Sequence, residues 1–238
     1  NPRRTAGTAS ALMVGIAVVA LFTVFAASLK ASLDDTIDRS FGGDLVVNTG
    51  AFGGGGISPQ LAQDVGELPE VDLAVGVGQG SARIDGGTKE LSIADPADLS
   101  QVLDLGVSDG SLSGLGDDTM AVSDATAESH DWQVGDAVPV TFADGQTEDL
   151  TIGATYETDD IAGGYLIPRT VWAPHAVQDI DTMVIVDAAD GTSVAEAKAA
   201  VTRVADGYGG PNVEDRDEFA TTMTSGVDMM LTIIYALL

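Results

Sequence analysis

The 238-residue sequence contains no cysteine, few aromatic residues and few basic ones. The lack of cysteine excludes disulfides, thiolate metal sites and a catalytic thiol. Phe, Trp and Tyr make up 5% of the residues, so a core must be built from Val, Leu, Ile and Ala. Ten Lys and Arg residues stand against 37 Asp and Glu, giving a formal net charge of −27. The sequence therefore predicts no nucleic-acid partner, because phosphate binding requires a basic face.

Despite this charge the chain is not a disordered acidic tail, because hydrophobic residues make up 45% of it. We interpret the acidity as a solubility device that is consistent with a saline habitat. The densest acidic groups, at residues 159–160 and 215–218, do not match the D-x-[DN]-x-[DN]-G pattern of a calcium loop. We expect these groups to be solvated, and we predict neither a metal nor a cofactor.

The motifs of common catalytic sites are missing. The sequence lacks the Walker A pattern G-x-x-x-x-G-K-[ST] and the zincin pattern H-E-x-x-H. The two histidines, His130 and His175, are expected at the surface. Gly76, Gly78 and Gly80 alternate within a strand-like run, which indicates close backbone packing. We therefore predict no catalytic residues.

A long uncharged run lies near the start of the chain, at residues 9–29. A membrane-spanning helix needs about 20 apolar residues, and this run has that length. Arg3 and Arg4 precede it and acidic residues follow, so the positive-inside rule predicts a cytoplasmic N-terminus and an extracytoplasmic domain. The alternative is a signal peptide, whose apolar region is only about 7–15 residues. The start at Asn1, without an initiator Met, suggests a segment of a longer protein.

Apolar residues continue beyond this run at helical spacing. Leu29, Leu33 and Ile37 lie four residues apart, which predicts an amphipathic stalk. A similar stripe comes near the other end and leads into the uncharged residues 229–238. That run alone could be a buried core helix. The two matching stripes favour a second stalk and a helix that returns into the membrane.

The residues between the stalks predict an α+β domain. Its first and last parts each read as a β-α-β unit, which together suggest a ferredoxin-like layer. Ser193 and Glu196 form an S-x-x-E capping box at the start of the later helix. The predicted strands are 44–49, 71–77 and 182–186, and the predicted helices are 59–68 and 194–205. Val213 either starts a further short strand or leads directly into the returning helix.

The middle of the domain is richer in short strands and turns. Residues 138–142 and 150–156 predict a β-hairpin, and the whole stretch reads as an inserted β-rich subdomain. The predicted domains are 1–41 (membrane helix and stalk), 42–80 with 171–213 (β-α-β layer), 81–170 (insertion) and 214–238 (stalk and start of a second membrane helix).

Several stretches resemble the FtsX-like, MacB-like family of ABC transporter permeases, in the form found in actinobacteria. The opening NPRRTAGTASALMVGIAVVALFTVFAASLKASLDDTIDRSFGGDLVV is similar to the first membrane helix and first strand of that family. The segments MAVSDATAESHDWQVGDAVPVTF and LTIGATYE are similar to its small β-rich domain, and MMLTIIYALL to the start of its second membrane helix. The resemblance covers essentially the whole chain.

This resemblance implies a multi-pass permease in the cell membrane with an extracytoplasmic central domain. ATP hydrolysis would occur in a cytoplasmic ATP-binding subunit, so the chain itself is not expected to be an enzyme. Its helices would pass movement to the outer domain during export of lipid, lipoprotein, peptide or drug. The residues expected to form this coupling seam are Leu29, Leu33, Ile37, Phe219, Met223 and Val227.

Two other readings stay open at the level of the sequence. FtsX-like proteins also act as transmembrane regulators whose outer domain binds and activates a cell-wall hydrolase, and the resemblance does not separate that role from transport. A membrane-anchored enzyme is disfavoured by the missing motifs. The resemblance also allows a second permease copy or half, and an extracytoplasmic protein, as further partners.

Overall fold

A computed structural model of the chain describes residues 13, 17–29, 31–32, 39–50 and 55–223, without the side chains of residues 160 and 161. The chain divides into two compact units, one of residues 39–216 and one of residues 1–38 with 217–238. The predicted seam residues Leu33, Ile37 and Val227 lie outside the described residues, as does the apolar run 229–238.

In the unit of the chain ends, residues 17–29 and 217–223 are helical. Ala26 and Phe219 are buried, whereas Leu21 and Met223 are exposed. No helix in the described part of the chain is both long and apolar enough to cross a membrane. The membrane helix over residues 9–29 therefore stays a prediction.

The unit of residues 39–216 contains ten strands and six short helices among its described residues. The strands are β1 (Leu45–Asn48), β2 (Val71–Ile84), β3 (Gly87–Ala94), β4 (Val107–Gly110), β5 (Thr119–Ser123), β6 (Ala137–Thr141), β7 (Thr147–Tyr156), β8 (Tyr165–Pro168), β9 (Asp181–Ala188) and β10 (Asn212–Asp215). The helices are α1 (Gln60–Gly66), α2 (Pro96–Val102), α3 (Asp124–His130), α4 (Asp159–Ala162), α5 (Arg169–Trp172) and α6 (Val194–Ala205).

The strands form a single sheet in the order β10-β1-β9-β2-β3-β8-β5-β7-β4, with β6 pairing to β2 and β7. At one end β1 lies between β10 and β9, and β2 pairs with the other side of β9, all antiparallel. Because α1 joins β1 to β2 and α6 joins β9 to β10, these four strands have the order of a split β-α-β layer. The predicted mixture of α and β structure is confirmed.

One hydrophobic core lies between these four strands and the helices α1 and α6. Helix α6 presents Ala197, Val201 and Ala205 at a spacing of four, so its apolar face covers the sheet. Its start is fixed by the predicted capping box, which is confirmed. The Ser193 backbone N–H donates to Glu196 Oε2 at 3.1 Å, and the Glu196 N–H donates to Ser193 Oγ at 3.3 Å.

A second core lies along the end of β2 and on β3 and β5–β8, and draws its buried side chains from residues 82–172. The predicted hairpin is confirmed, since β6 and β7 pair antiparallel around the turn at Asp144-Gly145. The first core draws its residues from 45–71 and 184–205. The exact subdomain limits given above stay a prediction.

Candidate functional site

A cleft of about 410 Å³ opens beside the split β-α-β layer, within the unit of residues 39–216. Helix α1, strand β2, the start of α2, helix α5 and the start of β9 contribute to its walls. Its lining residues are Pro59, Ala62, Gln63, Ala74, Val75, Gly76, Asp95, Asp98, Arg169, Thr170, Ala173 and Asp181.

An ion cluster centred on Arg169 lies in this cleft. The Arg169 guanidinium donates to Asp179 Oδ1 at 2.6 Å, to Asp181 Oδ1 and to the Gly76 carbonyl at 3.3 Å. Asp181 is completely buried, and its Oδ2 has no hydrogen-bond partner among the described residues. Burial raises the pKa of Asp181, Arg169 opposes this and Asp179 adds to it, and the net shift is upward. The carboxylate of Asp181 is therefore paired with one cation, Arg169, which also pairs with Asp179.

The alternating glycines of β2 make room for this arrangement. A Cβ at Gly76 would collide with Asp181 Oδ2, and one at Gly78 would come within 2.8 Å of the Ile180 carbonyl oxygen. A Cβ at Gly80 would collide with the indole ring of Trp172. The predicted close packing at these glycines is confirmed, and at Gly76 the packing partner is the buried carboxylate.

Two further carboxylates reach the cleft at the start of α2. Asp95 is the N-cap, and its Oδ1 accepts from the backbone N–H groups of Ala97 at 3.0 Å and Asp98 at 3.2 Å. Pro96 follows at the first helical position, which favours this start. Burial, and then the neighbouring charge of Asp95, raise the pKa of Asp98. The cleft is acidic, and no motif in the sequence pointed to it.

The surface position predicted for both histidines is wrong for His175, which is 4% exposed. Its Nδ1 lies 2.8 Å from Asp144 Oδ2, and its Nε2 lies 3.2 Å from Glu148 Oε1, a charge contact without hydrogen-bond geometry. The ring stacks on Phe142 with centroids 4.0 Å apart. The short turn after α5 thus packs against the β6–β7 hairpin. His130 is half-buried and stacks on Trp132 at 4.2 Å.

The chain passes into and out of this unit on neighbouring strands. Gly42 and Gly43 donate their backbone N–H groups to the Val102 carbonyl at the end of α2, at 2.9 and 3.1 Å. Arg216, which follows β10, donates to the Gly43 carbonyl at 3.1 Å and lies 6.0 Å from the ring centroid of Phe41. These contacts, which we call the neck, fasten the incoming chain to α2 and to the outgoing chain.

The described seam residues lie in helices of the other unit. Leu29 is half-buried, Phe219 is 4% exposed and Met223 is 42% exposed. With the other three outside the described residues, the coupling seam stays a prediction.

Several solved structures are similar to the chain. It is similar to the periplasmic region of MacB from Actinobacillus actinomycetemcomitans, with a TM-score of 0.59 and 10% identity over 77% of this chain and 94% of that one. It is also similar to the extracellular domain of the noncanonic ABC-type transporter YknZ from Gram-positive bacteria, with a TM-score of 0.52 and 14% identity over 72% and 98%. At these identities the two likenesses establish the fold. No curated protein matches the chain in sequence.

The family model of the MacB-like periplasmic core domain matches residues 5–204, which is most of the chain. The match includes both parts of the split β-α-β layer apart from β10, and the whole β-rich stretch between them. The resemblance drawn from the opening and central segments is thereby confirmed. The chain belongs to the family of the MacB-like periplasmic core domain.

Proposed function

We propose that this chain is part of the membrane subunit of an ABC transporter, with its central domain outside the cytoplasm. A separate cytoplasmic subunit hydrolyses ATP, and the chain passes the resulting movement to the outer domain. Lipid, lipoprotein, peptide or drug is the exported cargo. The family match is the observation that carries this proposal, because it identifies the domain type.

The neck supports the mechanical part of the proposal. Gly42 and Gly43 are hydrogen-bonded to α2, whose first turn reaches the cleft, and Arg216 joins the incoming to the outgoing chain. A displacement of the chain at residues 39–44 therefore acts on α2 and on β1 together. Transmission through packed, rigid elements of this kind is a known route for conformational coupling.

The missing cysteines allow a direct test of this movement. Cysteines introduced at Glu67 and Asp149, both exposed, would carry the only two spin labels on the chain. We expect the distance distribution between them to change when ATP is added to liposomes that hold the chain and its ATPase subunit. An unchanged distribution would contradict the mechanical proposal.

The seam hypothesis adds a second test in the same liposomes. Leu33→Asn and Met223→Asn should reduce the ATP-dependent distance change and export while ATP hydrolysis continues, because a polar group weakens an apolar helix contact. Val177→Asn is the matched control, since Val177 is 85% exposed and its change should have no effect. Full coupling in both seam variants would rule the seam out.

In the regulatory alternative, the same movement of the outer domain acts on a cell-wall hydrolase and not on an exported cargo. If the outer domain activates a cell-wall hydrolase, the same distance change would appear without any exported cargo. Stimulation of a purified hydrolase by the chain and ATP would favour this role over transport.

A further inference from the structure

A second cleft, of about 450 Å³, lies at the β4 end of the sheet, between the terminal strands and helix α3. Trp132, which follows α3, forms part of its wall, so we call it the Trp132 cleft. It shares no lining residue with the cleft around Arg169. Its lining includes four carboxylates, those of Asp109, Asp124, Glu128 and Asp131.

The floor of the Trp132 cleft contains a hydroxyl group without a partner, that of Thr155. Thr155 is 8% exposed and pairs with Val122 of β5 and Asp109 of β4. Register partners place their side chains on the same face of a sheet, and Val122 packs in one core with Ala127 of α3. The Thr155 side chain is therefore directed to the face that carries α3 and the cleft. Its hydroxyl makes no hydrogen bond to another described residue, and a buried polar group in this state calls for a water, an ion or a ligand.

No cation of the described chain neutralises the carboxylates of this cleft. Asp124 Oδ2 accepts from the Ser108 hydroxyl at 2.6 Å, and Asp109 Oδ1 accepts from the next backbone N–H at 2.9 Å. Within the described ranges, neither these two nor Glu128 and Asp131 form an ion pair, and no Lys or Arg lines the cleft. The cleft is therefore complementary to a cation that also makes hydrogen bonds.

The Trp132 indole identifies the kind of cation. His130 stacks on it with ring centroids 4.2 Å apart, and the half-buried indole still lines the cleft. A guanidinium pairs with carboxylates through a planar fork of donors and also stacks on aromatic rings, whereas an ammonium is a compact and more strongly hydrated charge. A guanidinium therefore matches the carboxylates, the hydroxyl and the indole together.

We propose that the Trp132 cleft binds the side chain of an arginine residue on a partner protein. The guanidinium pairs with the carboxylates, donates to the Thr155 hydroxyl and lies against the Trp132 indole. All four residues of the neighbouring edge strand β4 are exposed, so an arginine carried on another chain can reach the cleft. The net charge of −27 favours the approach of a basic partner. This binding does not depend on the proposed transport function.

The proposal is tested with the blocked peptide Ac-Gly-Gly-Arg-Gly-Gly-NH2 and two analogues, which carry citrulline or lysine in place of arginine. Isothermal titration calorimetry on the full chain at pH 7 and low salt should show saturable binding of the arginine peptide. The citrulline peptide has nearly the same shape without the charge and should not bind, and the lysine peptide should bind about threefold more weakly. No binding of the arginine peptide, or equal binding of either analogue, would overturn the proposal.

Free L-arginine separates a partner chain from a small-molecule ligand. The peptide should bind at least as tightly as free L-arginine, because an open cleft leaves room for the flanking residues. Binding of free L-arginine without binding of the peptide would overturn the assignment to a partner protein.

Two variants locate the site. Glu128→Gln and Thr155→Val should each weaken peptide binding about fivefold, the range of one partly exposed ion pair or one hydrogen bond. Glu90→Gln is the matched control, because it removes the same charge from an exposed position on β3 outside the cleft. If Glu90→Gln weakens binding as much as Glu128→Gln does, the effect is one of net charge and the site is refuted.

The Thr155→Val variant also has a readout in stability. It retains the shape of the side chain and removes a hydroxyl that has no partner in the described chain, so the free energy of unfolding should not fall. A loss of stability would show that the hydroxyl serves the fold, and would refute its role in binding. Trp132→Leu tests the indole, and unchanged affinity for the peptide in this variant would refute the stacking.

Discussion

The contact between His175 and the β6–β7 hairpin leads to a prediction about pH. Burial lowers the pKa of His175, but the carboxylates of Asp144 and Glu148 raise it more, so the net shift is upward from the ordinary value of 6.5. The stabilisation from the protonated ring is therefore complete below about pH 6.5 and is lost as the pH rises through the folded-state pKa. Raising the pH should loosen the hairpin from the turn after α5.

Asp144, the hydrogen-bond partner of His175, sets the lower pH limit of this stabilisation. The hydrogen bond with His175 holds the pKa of Asp144 below its ordinary value of 3.8, with the Gln146 backbone N–H contributing next. Stability gained from that carboxylate is present above pH 3.8 and is lost as the pH falls through its lower folded-state pKa. The contact should therefore be most stabilising between about pH 4 and 6.5.

The size of the packing contribution follows from burial. The His175 side chain is 2% exposed and stacks on Phe142 at 4.0 Å. Complete burial of a side chain of this size contributes about 2 kcal/mol, and an aromatic pair about 1 kcal/mol more. His175→Ala should then lower the free energy of unfolding by about 3 kcal/mol at pH 6. His175→Phe keeps the stacking partner but cannot be protonated.

Urea unfolding followed by circular dichroism, at several pH values from 5.5 to 8.5, separates packing from charge. The difference in unfolding free energy between the native chain and His175→Phe should shrink as the pH rises, because only the native ring loses a proton. Parallel pH dependences of the two proteins would show that His175 does not gain stability from its carboxylate partners, and the reasoning would be refuted.

Three further predictions concern packing, capping and buried charge, each measured by urea unfolding. Gly80→Ala should destabilise the chain by about 1–3 kcal/mol, because the new methyl group collides with the Trp172 ring. Ser193→Ala should cost about 1 kcal/mol through loss of the capping box. Arg169→Met should cost about 3–5 kcal/mol at pH 7.5, and less at pH 5, because a buried Asp181 without its cation becomes protonated more readily.

Each of these changes has a result that would contradict it. Gly87→Ala is the control for strand glycines, because the nearest atom to its Cβ would be 3.8 Å away, so equal losses at positions 80 and 87 would exclude the ring collision. Full stability of Ser193→Ala would show that the cap contributes nothing. A loss in Arg169→Met that does not depend on pH would exclude an uncompensated carboxylate as its cause.

The elements predicted best from the sequence are those with local signals. Helix α6 was predicted at its observed limits because a capping box precedes it and apolar residues recur along one face. Strand β2 was predicted to end at Val77 but continues to Ile84. Its later residues contain glycines, which weaken strand propensity, and their pairing with β3 and β6 outweighs that preference.

The cleft and the burial of His175 could not be predicted in the same way. Gly76 and Asp181 lie far apart in sequence and meet only because β2 and β9 pair. The need for glycine at position 76 becomes clear only in the folded chain, where Asp181 occupies the space that a Cβ would fill. His175 is buried because the β6–β7 hairpin folds onto the turn that carries it, which no residue next to His175 indicates.

The antiparallel pairing of β1 with β10 has a consequence for how the domain can change in evolution. Leu45 and Asp215 are register partners, so the two attachment points are about 5 Å apart, the spacing of neighbouring strands. The chain between these two residues starts and ends at neighbouring positions, so the distance between its two ends does not depend on its length. Loops or whole strands can be added within it without changing the distance between its two connections. The domain can thus be duplicated, replaced or transferred as a unit, because the paired strands β1 and β10 keep the same spacing.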